Sequence, residues 1–204
     1  MRTLIALLMA VSLGGCASVR VNGGHCPHFW VDPSLHARSE RQADFSLTRG
    51  RAGPAEVGAI VEEVYEIFGC QNISLVAQVG EGSFLGTALE IRLPSATVSP
   101  ALVIQFREGG SQCPGFRVVG VEVRDPRFRT PEGVGVGSTL GELRQRYQVG
   151  RLIQGEEGAY NAEVAALEMS FDFGGPFTDA SKVTGVFLHP DPDWVRLRKC
   201  PSGG

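Results

Sequence analysis

The chain contains one stretch almost twice, as ALVIQFREGG at residues 101–110 and as ALEMSFDFGG at residues 166–175. With a constant offset of 65 and no gap, residues 101–123 align with residues 166–188, and eight of the 23 aligned positions are identical. Average residue usage gives about one or two such identities by chance. The repetition therefore indicates an internal duplication.

Apolar and polar residues alternate in each copy with the period of an antiparallel strand that is buried on one side. In the second copy, Met169, Phe171 and Phe173 alternate with Ser170 and Asp172. The same alternation predicts further apolar-side residues on both copies and on the strands that follow them: Leu102, Ile104, Phe106, Val119, Val121, Val123, Leu167, Thr184, Val186 and Leu188. One face of the predicted sheet therefore needs a cover.

A helical pattern precedes each copy and supplies that cover. Residues 57–69 (VGAIVEEVYEIFG) have apolar side chains at helical spacing, and Leu140, Leu143 and Tyr147 repeat the spacing farther along. Thr139-Leu140-Gly141-Glu142 fits the T-x-x-E capping box, which predicts that the second helix begins there. The helices are offset by 79 positions instead of 65, so the first copy has about 14 extra residues.

These patterns predict an α+β fold of two tandem helix-plus-β-meander repeats that form an antiparallel sheet with the helices on one face. The predicted units are a signal peptide (1–15), a lipidated tether and irregular arm (16–43), a first repeat (44–126), a second repeat (127–200) and a tail (201–204). Strands are expected near these residues: 45–48, 73–79, 84–92, 101–107, 116–124, 151–154, 166–173 and 182–189.

The unit of a helix with G-x-[ST] at its start and a following β-meander resembles the repeat of the beta-lactamase inhibitory protein fold. It is also similar to the single-unit lipoprotein of the β-barrel assembly machinery. Residues 118–147 resemble a segment of uncharacterised Gram-negative envelope lipoproteins. These resemblances imply a fold and an envelope location, and they supply no catalytic residues. The first helix departs from the pattern, because Ala59-Ile60 stands where the second has Ser138-Thr139.

The first 18 residues, MRTLIALLMAVSLGGCAS, have the order of a secretory signal, with a basic Arg2 and then an apolar run over residues 4–13. The end of this segment resembles the bacterial lipobox, which implies cleavage before Cys16 and acylation of that cysteine. Two or three acyl chains are enough for stable anchoring. Ala17, rather than Asp, after the cysteine implies sorting to the outer membrane. We therefore expect a lipid-anchored protein on the periplasmic face of the outer membrane.

Residues 16–204 have 18 Lys and Arg against 22 Asp and Glu, which gives a formal charge of 18 − 22 = −4. Neither sign forms a long run, so the sequence predicts neither a nucleic-acid partner nor a surface for anionic lipid.

Four cysteines remain if Cys16 is acylated: Cys26, Cys70, Cys113 and Cys200. An even count in an oxidising compartment predicts two disulfides, for which three pairings are possible. We prefer Cys70–Cys200 with Cys26–Cys113, on the expectation that Cys70 and the chain end lie at one edge of the sheet and the Cys113 loop at the other. No C-x-x-C spacing indicates a zinc site or a redox pair.

Three stretches could carry chemistry, and each has a simpler interpretation. GVGVGS at residues 133–138 lacks the last glycine of a dinucleotide loop and the lysine of a phosphate loop, and a glycine-rich entry to a capped helix explains it better. His25, Cys26, His28 and His36 could bind a soft metal, but Cys26 is more simply half of a disulfide. His189 with Asp191 and Asp193 is typical of a strand end broken by proline.

A G-x-S-x-G motif is also missing. Because each of these stretches has a simpler interpretation, we predict no enzyme, no cofactor and no metal. The expected function is non-catalytic binding of another envelope protein through the uncovered sheet face. Alternatives are a structural envelope component without a specific ligand and a small hydrolase. The candidate binding residues are Arg92, Gln105, Arg107 and Arg117, and the residues expected to point outward on that face are Val103, Gln105, Arg107, Val118 and Glu122.

Overall fold

The structure is a computed structural model that describes residues 17–20, 44–80, 83–108, 115–155 and 160–189. Its described elements are β1 (Ala17–Arg20), β2 (Leu47–Thr48), β3 (Arg51–Ala52), β4 (Ala55–Glu56), α1 (Val61–Phe68), β5 (Ile73–Gly80), β6 (Ser83–Ile91), β7 (Leu102–Glu108), β8 (Phe116–Val123), α2 (Leu140–Arg146), β9 (Leu152–Gln154), β10 (Tyr160–Val164), β11 (Met169–Phe173) and β12 (Val183–Leu188). The α+β class predicted from the sequence is confirmed.

Nine strands form one antiparallel sheet in the order β1-β5-β6-β7-β8-β12-β11-β10-β9, and β2, β3 and β4 form a small separate sheet. β5 to β8 follow α1 as one four-stranded meander, and β9 to β12 follow α2 as another. The last strands of the two meanders pair with each other, through Val121↔Leu188, Glu122↔Phe187 and Val123↔Val186. This β8–β12 junction makes the two meanders a single sheet.

The helices cover one face of this sheet. Val64 of α1 and Leu143 of α2 are almost wholly buried, and they belong to the same core as Val121, Val123 and Val186. The small sheet adds Leu47 to that core. Both helices therefore pack against the apolar face that the alternation predicted.

A β-bulge interrupts the alternation in each meander. The register moves from Gln105↔Gly120 to Phe106↔Val118 in one, and from Asp172↔Gly185 to Phe173↔Val183 in the other. The skipped residues are Val119 and Thr184. Because a bulge inserts one residue, it reverses the facing of the residues before it.

The bulges correct the predicted facing of three residues. Val118 and Val183 are buried in the core, whereas Val119 is half-buried and Thr184 is exposed. The predicted core positions Val119 and Thr184 are therefore wrong, and so is the outward position of Val118.

Both helices start from the same backbone contacts with a sheet strand. Gly58 N–H donates to the Val118 carbonyl at 2.8 Å, and Val118 N–H donates to the Ala59 carbonyl at 2.9 Å. At α2, Gly137 N–H donates to the Val183 carbonyl at 2.8 Å, and Val183 N–H donates to the Ser138 carbonyl at 2.8 Å. These bonds fix each helix start beside the last strand of its own meander.

The predicted capping box of α2 is confirmed. Glu142 N–H donates to Thr139 Oγ1 at 3.1 Å, and Thr139 N–H donates to Glu142 Oε2 at 2.7 Å. Ile60 stands at the equivalent place before α1, where no side chain caps the helix. α1 begins at Val61, later than the sequence pattern indicates, because residues 58 and 59 bond to β8 instead.

The connection from β8 to α2 is held by a buried ion pair. The Asp125 side chain is 0% exposed, and its carboxylate accepts from Arg127 Nη2 at 2.6 Å and from the Arg127 backbone N–H at 2.9 Å. Burial raises the pKa of Asp125, but the hydrogen bonds and charge of Arg127 outweigh it and lower that pKa overall. The Arg127 guanidinium also lies 4.3 Å from the centre of the Phe45 ring, which ties the chain before β2 to this connection.

Other features differ from the sequence prediction. β1, β10 and the short β3 and β4 were not predicted, and β1 lies within the segment (16–43) that was expected to be a tether and irregular arm. β11 begins at Met169, because Glu168 has a left-handed φ of 52° and ends a short 3-10 segment over Ala165–Leu167. β5 and β12 run in the same direction, so Cys70, which precedes β5, and His189, which follows β12, lie at opposite ends of the strands. The preference for Cys70–Cys200 assumed that Cys70 and the chain end lie on the same side of the sheet. In the described parts of the chain, no helix is long and apolar enough to cross a membrane.

The GVGVGS stretch is a packed helix entry whose amides are mostly used within the protein. The backbone N–H groups of residues 133, 134, 135, 137 and 138 all donate to protein oxygens. Few N–H groups remain to hold a phosphate, which agrees with the simpler interpretation. A β-carbon on Gly135 would lie 2.2 Å from the Phe128 carbonyl oxygen, so this position needs glycine.

We expect Gly135→Ala to lower the free energy of unfolding by about 3 kcal/mol, because backbone must move beside the buried Phe128. Gly175→Ala is the matched control, since its β-carbon would meet nothing within 4 Å. The control should stay within about 0.5 kcal/mol of the parent. Urea denaturation of both variants measures the difference, and equal stabilities would contradict the packing described for Gly135.

Candidate functional site: the far face of the sheet

The far face is defined here as the side of the nine-stranded sheet opposite α1 and α2. Its central residues, on β6, β7, β8, β12 and β11, are Glu90, Val103, Gln105, Gly120, Glu122, Gly185, Phe187, Ser170 and Asp172. Three of these are acidic and one is a large aromatic. The far face is therefore chemically different from the apolar face beneath the helices.

An aromatic ring and an ion pair occupy the centre of the far face, at the β8–β12 junction. A β-carbon on Gly120 would lie 2.5 Å from Phe187 Cζ, so the Phe187 ring lies directly over that glycine. Next to it, Arg124 Nε and Nη2 donate to the two Glu122 carboxylate oxygens at 2.6 and 3.1 Å. Bidentate geometry of this kind holds the carboxylate in one orientation.

Asp172 on β11 pairs with Gly185, which lies two residues before Phe187 on β12. A β-carbon on Gly185 would lie 3.3 Å from Asp172 Oδ2, so the carboxyl rests close to the sheet backbone. Burial, with a further contribution from the negative charge of Glu122, raises the pKa of Asp172 to about 6. The sequence placed Asp172 on the polar side of its strand but gave no signal of this burial.

Ser170 and His189 form a hydrogen bond beside these groups, with 2.9 Å between His189 Nε2 and Ser170 Oγ. Burial lowers the pKa of His189, and the nearby charge of Glu163 opposes that effect. The Phe187 and His189 rings meet edge to face at a centroid distance of 4.9 Å. His189 stood out in the sequence, but no sequence pattern indicated Ser170 as its partner.

A serine hydrogen-bonded to a histidine is also how a nucleophile and its base are arranged, so this pair is the strongest argument for a hydrolase. Ser170 is only 7% exposed, and it lies within β11, whose backbone pairs with β10 on one side and β12 on the other. Strand pairing uses the N–H groups that an oxyanion hole would need. The geometry favours a structural hydrogen bond.

The structure does not bring the four candidate binding residues together. Arg107 and Arg117 are direct neighbours on β7 and β8, and Gln105 lies on the far face opposite Gly120. Arg92 follows the other end of β6, where it donates to Ser74 Oγ at 3.2 Å. Arg117 Nη1 donates to the Gly58 carbonyl at 3.3 Å, so this side chain also supports the start of α1.

Val103 lies on the far face as expected, but it is not exposed. It is 3% exposed and packs with Val76 and Ala88 in a small apolar cluster that is separate from the main core. The half of the far face on β5, β6 and β7 is therefore less open than the sequence suggested. The accessible part of the far face is centred on Gln105, Glu122 and Phe187, which are all half-buried.

Among the described residues, no group of three or more His, Cys, Asp or Glu side chains is arranged to hold a metal ion. His25, Cys26, His28 and His36, the cluster considered in the sequence, lie outside the described residues, as do Asp191 and Asp193. Cys70 is disulfide-bonded. Cys16, Cys26, Cys113 and Cys200 also lie outside the described residues, so the pairing stays a prediction.

No protein-family model matches the chain, and no curated protein matches its sequence. Among solved structures, the chain is similar to the crystal structure of the uncharacterized protein yfeY from Escherichia coli, with 13% sequence identity and a TM-score of 0.47. The match covers 72% of this chain and 99% of that chain. A likeness this distant carries no argument for function.

We predict that Asp172→Asn raises stability at neutral pH and flattens its pH dependence. Because the folded state raises the pKa of Asp172 to about 6, the carboxyl favours folding when it is protonated. That contribution is complete below the unfolded pKa of about 4 and is lost as the pH rises through 6. Ionisation of Asp172 should cost about 1 to 2 kcal/mol, after allowance for its partial exposure.

The measurement is the urea-derived free energy of unfolding between pH 4 and pH 7. Gln105→Asn is the control, because Gln105 has the matching place opposite Gly120 and does not titrate. The control should keep the parental pH dependence. If Asp172→Asn also keeps it, then Asp172 is not the buried titrating group described here.

Proposed function

We propose that this protein is a lipid-anchored, periplasm-facing envelope lipoprotein with no catalytic activity, which binds another envelope protein through the far face. We further propose that its fold arose by duplication of a helix-plus-meander unit. Each part of the proposal has its own support.

The duplication is supported by matching connections in the two halves. The backbone bonds at Gly58 and Gly137 are the same, and their acceptors, Val118 and Val183, are 65 residues apart. The β8–β12 junction is also symmetric. With the offset of 65, Val121 corresponds to Val186 and Leu188 corresponds to Val123, and the pair Val121↔Leu188 is matched by the pair Val186↔Val123.

The equivalence differs from the ungapped alignment in one strand. Ile104↔Val121 in the first half corresponds to Phe171↔Val186 in the second, so β7 and β11 are offset by 67 residues, not 65. With that offset, both bulges fall at the same place, after Gln105 and after Asp172. A shift of two residues keeps every side chain on its original face, so the alternation could not reveal it.

The anchor is supported by the lipobox that ends at Cys16. An acyl anchor would hold such a protein on the bilayer without crossing it. Ala17 after the cysteine supports the outer membrane as the location.

The binding function is supported above all by the composition of the β8–β12 junction on the far face. Phe187, Glu122 and Gln105 are half-buried there. Aromatic residues are enriched at the centre of protein contacts, and polar groups are usual at the rim. A broad sheet face suits a protein better than a small substrate, which needs a concave site. The alternatives are a structural envelope component without a specific ligand and, from the Ser170–His189 pair, a hydrolase.

A photoreactive amino acid at position 105 tests the binding function in intact cells. Gln105 adjoins the junction, and the exposed Arg144 on α2 provides the matched position on the opposite side of the protein. We expect discrete protein adducts from position 105 and none from position 144.

The expected adducts should weaken when Glu122→Ala is added, because the partner would lose contact with the fixed carboxylate. No adduct at either position would favour the structural role. Adducts of the same proteins at both positions would contradict a binding surface restricted to the far face.

A further inference from the structure

We infer that the end of the sheet at which β1 begins rests on the bilayer, with Arg107 at the phospholipid headgroups and Phe116 at the boundary with the acyl chains. This inference rests on the proposed acylation of Cys16. It adds a second membrane contact and an orientation, neither of which follows from the anchor alone.

The proposed anchor is directly adjacent to the sheet in the chain. Ala17, the residue directly after Cys16, already pairs with Val79 at the edge of the nine-stranded sheet. One residue spans about 4 Å. A lipid on Cys16 would therefore begin beside β1, and the folded domain could not stand away from the membrane on a linker.

β5 and β7 extend equally far toward the end of the sheet at which β1 begins. Ile73, Ile91, Leu102 and Val123 form one row across β5, β6, β7 and β8. Val79 lies six residues beyond this row on β5 (79 − 73), and Glu108 lies six beyond it on β7 (108 − 102), where it pairs with Phe116. Phe116 is therefore level with the partner of Ala17.

Ala17 on β1 and Phe116 on β8 are separated across the sheet. Four strand spacings of about 4.8 Å separate β1 from β8, or about 19 Å. Neighbouring strands are rotated by about 20° because the sheet twists. When the membrane normal runs along β6, the middle of these five strands, Ala17 on β1 and Phe116 on β8 lie at the same height above the bilayer.

The side chains at this end have the chemistry of a membrane interface. Phe116 is 43% exposed and meets Phe106 edge to face at 5.7 Å. Arg107 is exposed and stands directly opposite Arg117, and like charges in that position repel each other. A phosphate oxygen of a headgroup at the exposed Arg107 would offset this repulsion.

The net charge of −4 does not oppose this orientation. A protein with that charge would not be drawn to an anionic lipid surface from solution. The acyl chains would hold the anchored protein at the bilayer, so the arginines need only orient it. Each arginine near an anionic surface contributes about 1 kcal/mol.

The experiment places benzoylphenylalanine, a photoreactive amino acid, at position 116 or at position 98 of the full acylated chain. Val98 is 39% exposed and lies between β6 and β7 at the opposite end of the sheet, so it is a control of matched exposure. The protein is reconstituted in vesicles of phosphatidylethanolamine and phosphatidylglycerol with radiolabelled phosphate. We expect phospholipid adducts from position 116 and none from position 98.

Equal lipid adducts at the two positions, lipid adducts from position 98 alone, or protein adducts from position 116 would overturn the orientation. Fractionation and mass analysis of Cys16 are done in parallel. A soluble chain without a thioether would contradict the anchor itself, and the orientation with it. A membrane-bound, acylated chain without lipid adducts at 116 would leave the anchor standing and refute only the inference.

A second arm tests the arginine. Arg107→Gln should reduce the excess of phosphatidylglycerol over phosphatidylethanolamine in the adducts at 116 by about fivefold. Arg92→Gln is the control, since Arg92 is an exposed arginine at the opposite end of the sheet. A change of the same size in both variants, or no change in Arg107→Gln, would contradict a headgroup contact at Arg107.

Discussion

The rest of the structure depends on the pairing of β8 with β12. Three residue pairs join the two meanders, and four of the six residues are valine or leucine with 0% exposure. Without this junction, each half would expose an unpaired strand edge and half of an apolar sheet face. With it, the described sheet is continuous from β1 to β9, and both helices share one core.

The junction also determines the chemistry of the far face. Gly120 and Gly185 lie next to the paired residues, and the space above them is filled by Phe187 and Asp172. Glu122 is brought opposite Phe187 and near Asp172, and its charge helps to raise the pKa of Asp172. The candidate binding surface is therefore a direct product of the way the two halves join.

The sequence predicted the features that have a strong local pattern. The alternation in MSFDF identified β11, and T-x-x-E identified the start of α2, because each follows from contacts within a few residues. The order of strands could not be read in this way, since it depends on which edges meet. The first bulge was hidden because Val118 and Val119 are the same residue type, so the alternation fits either one. At the second bulge both Val183 and Thr184 are β-branched, and either suits a strand.

The candidate site was less predictable than the fold. The burial of Asp172 and Val103 depends on neighbours from other strands, and no spacing in the sequence encodes that. The Asp125–Arg127 pair is close in sequence, but only the fold shows that Asp125 is buried. β10 was missed because YNAEV is too short and too weakly apolar to stand out.

Amide hydrogen exchange under native conditions tests the central role of the β8–β12 junction most directly. We expect the amides of Val121, Val123, Val186 and Leu188 to be among the slowest in the protein and to exchange only through global unfolding, with a single cooperative transition in urea. Faster exchange of these amides than of those of β6 or β11, or separate unfolding transitions of the two meanders, would contradict this role of the junction.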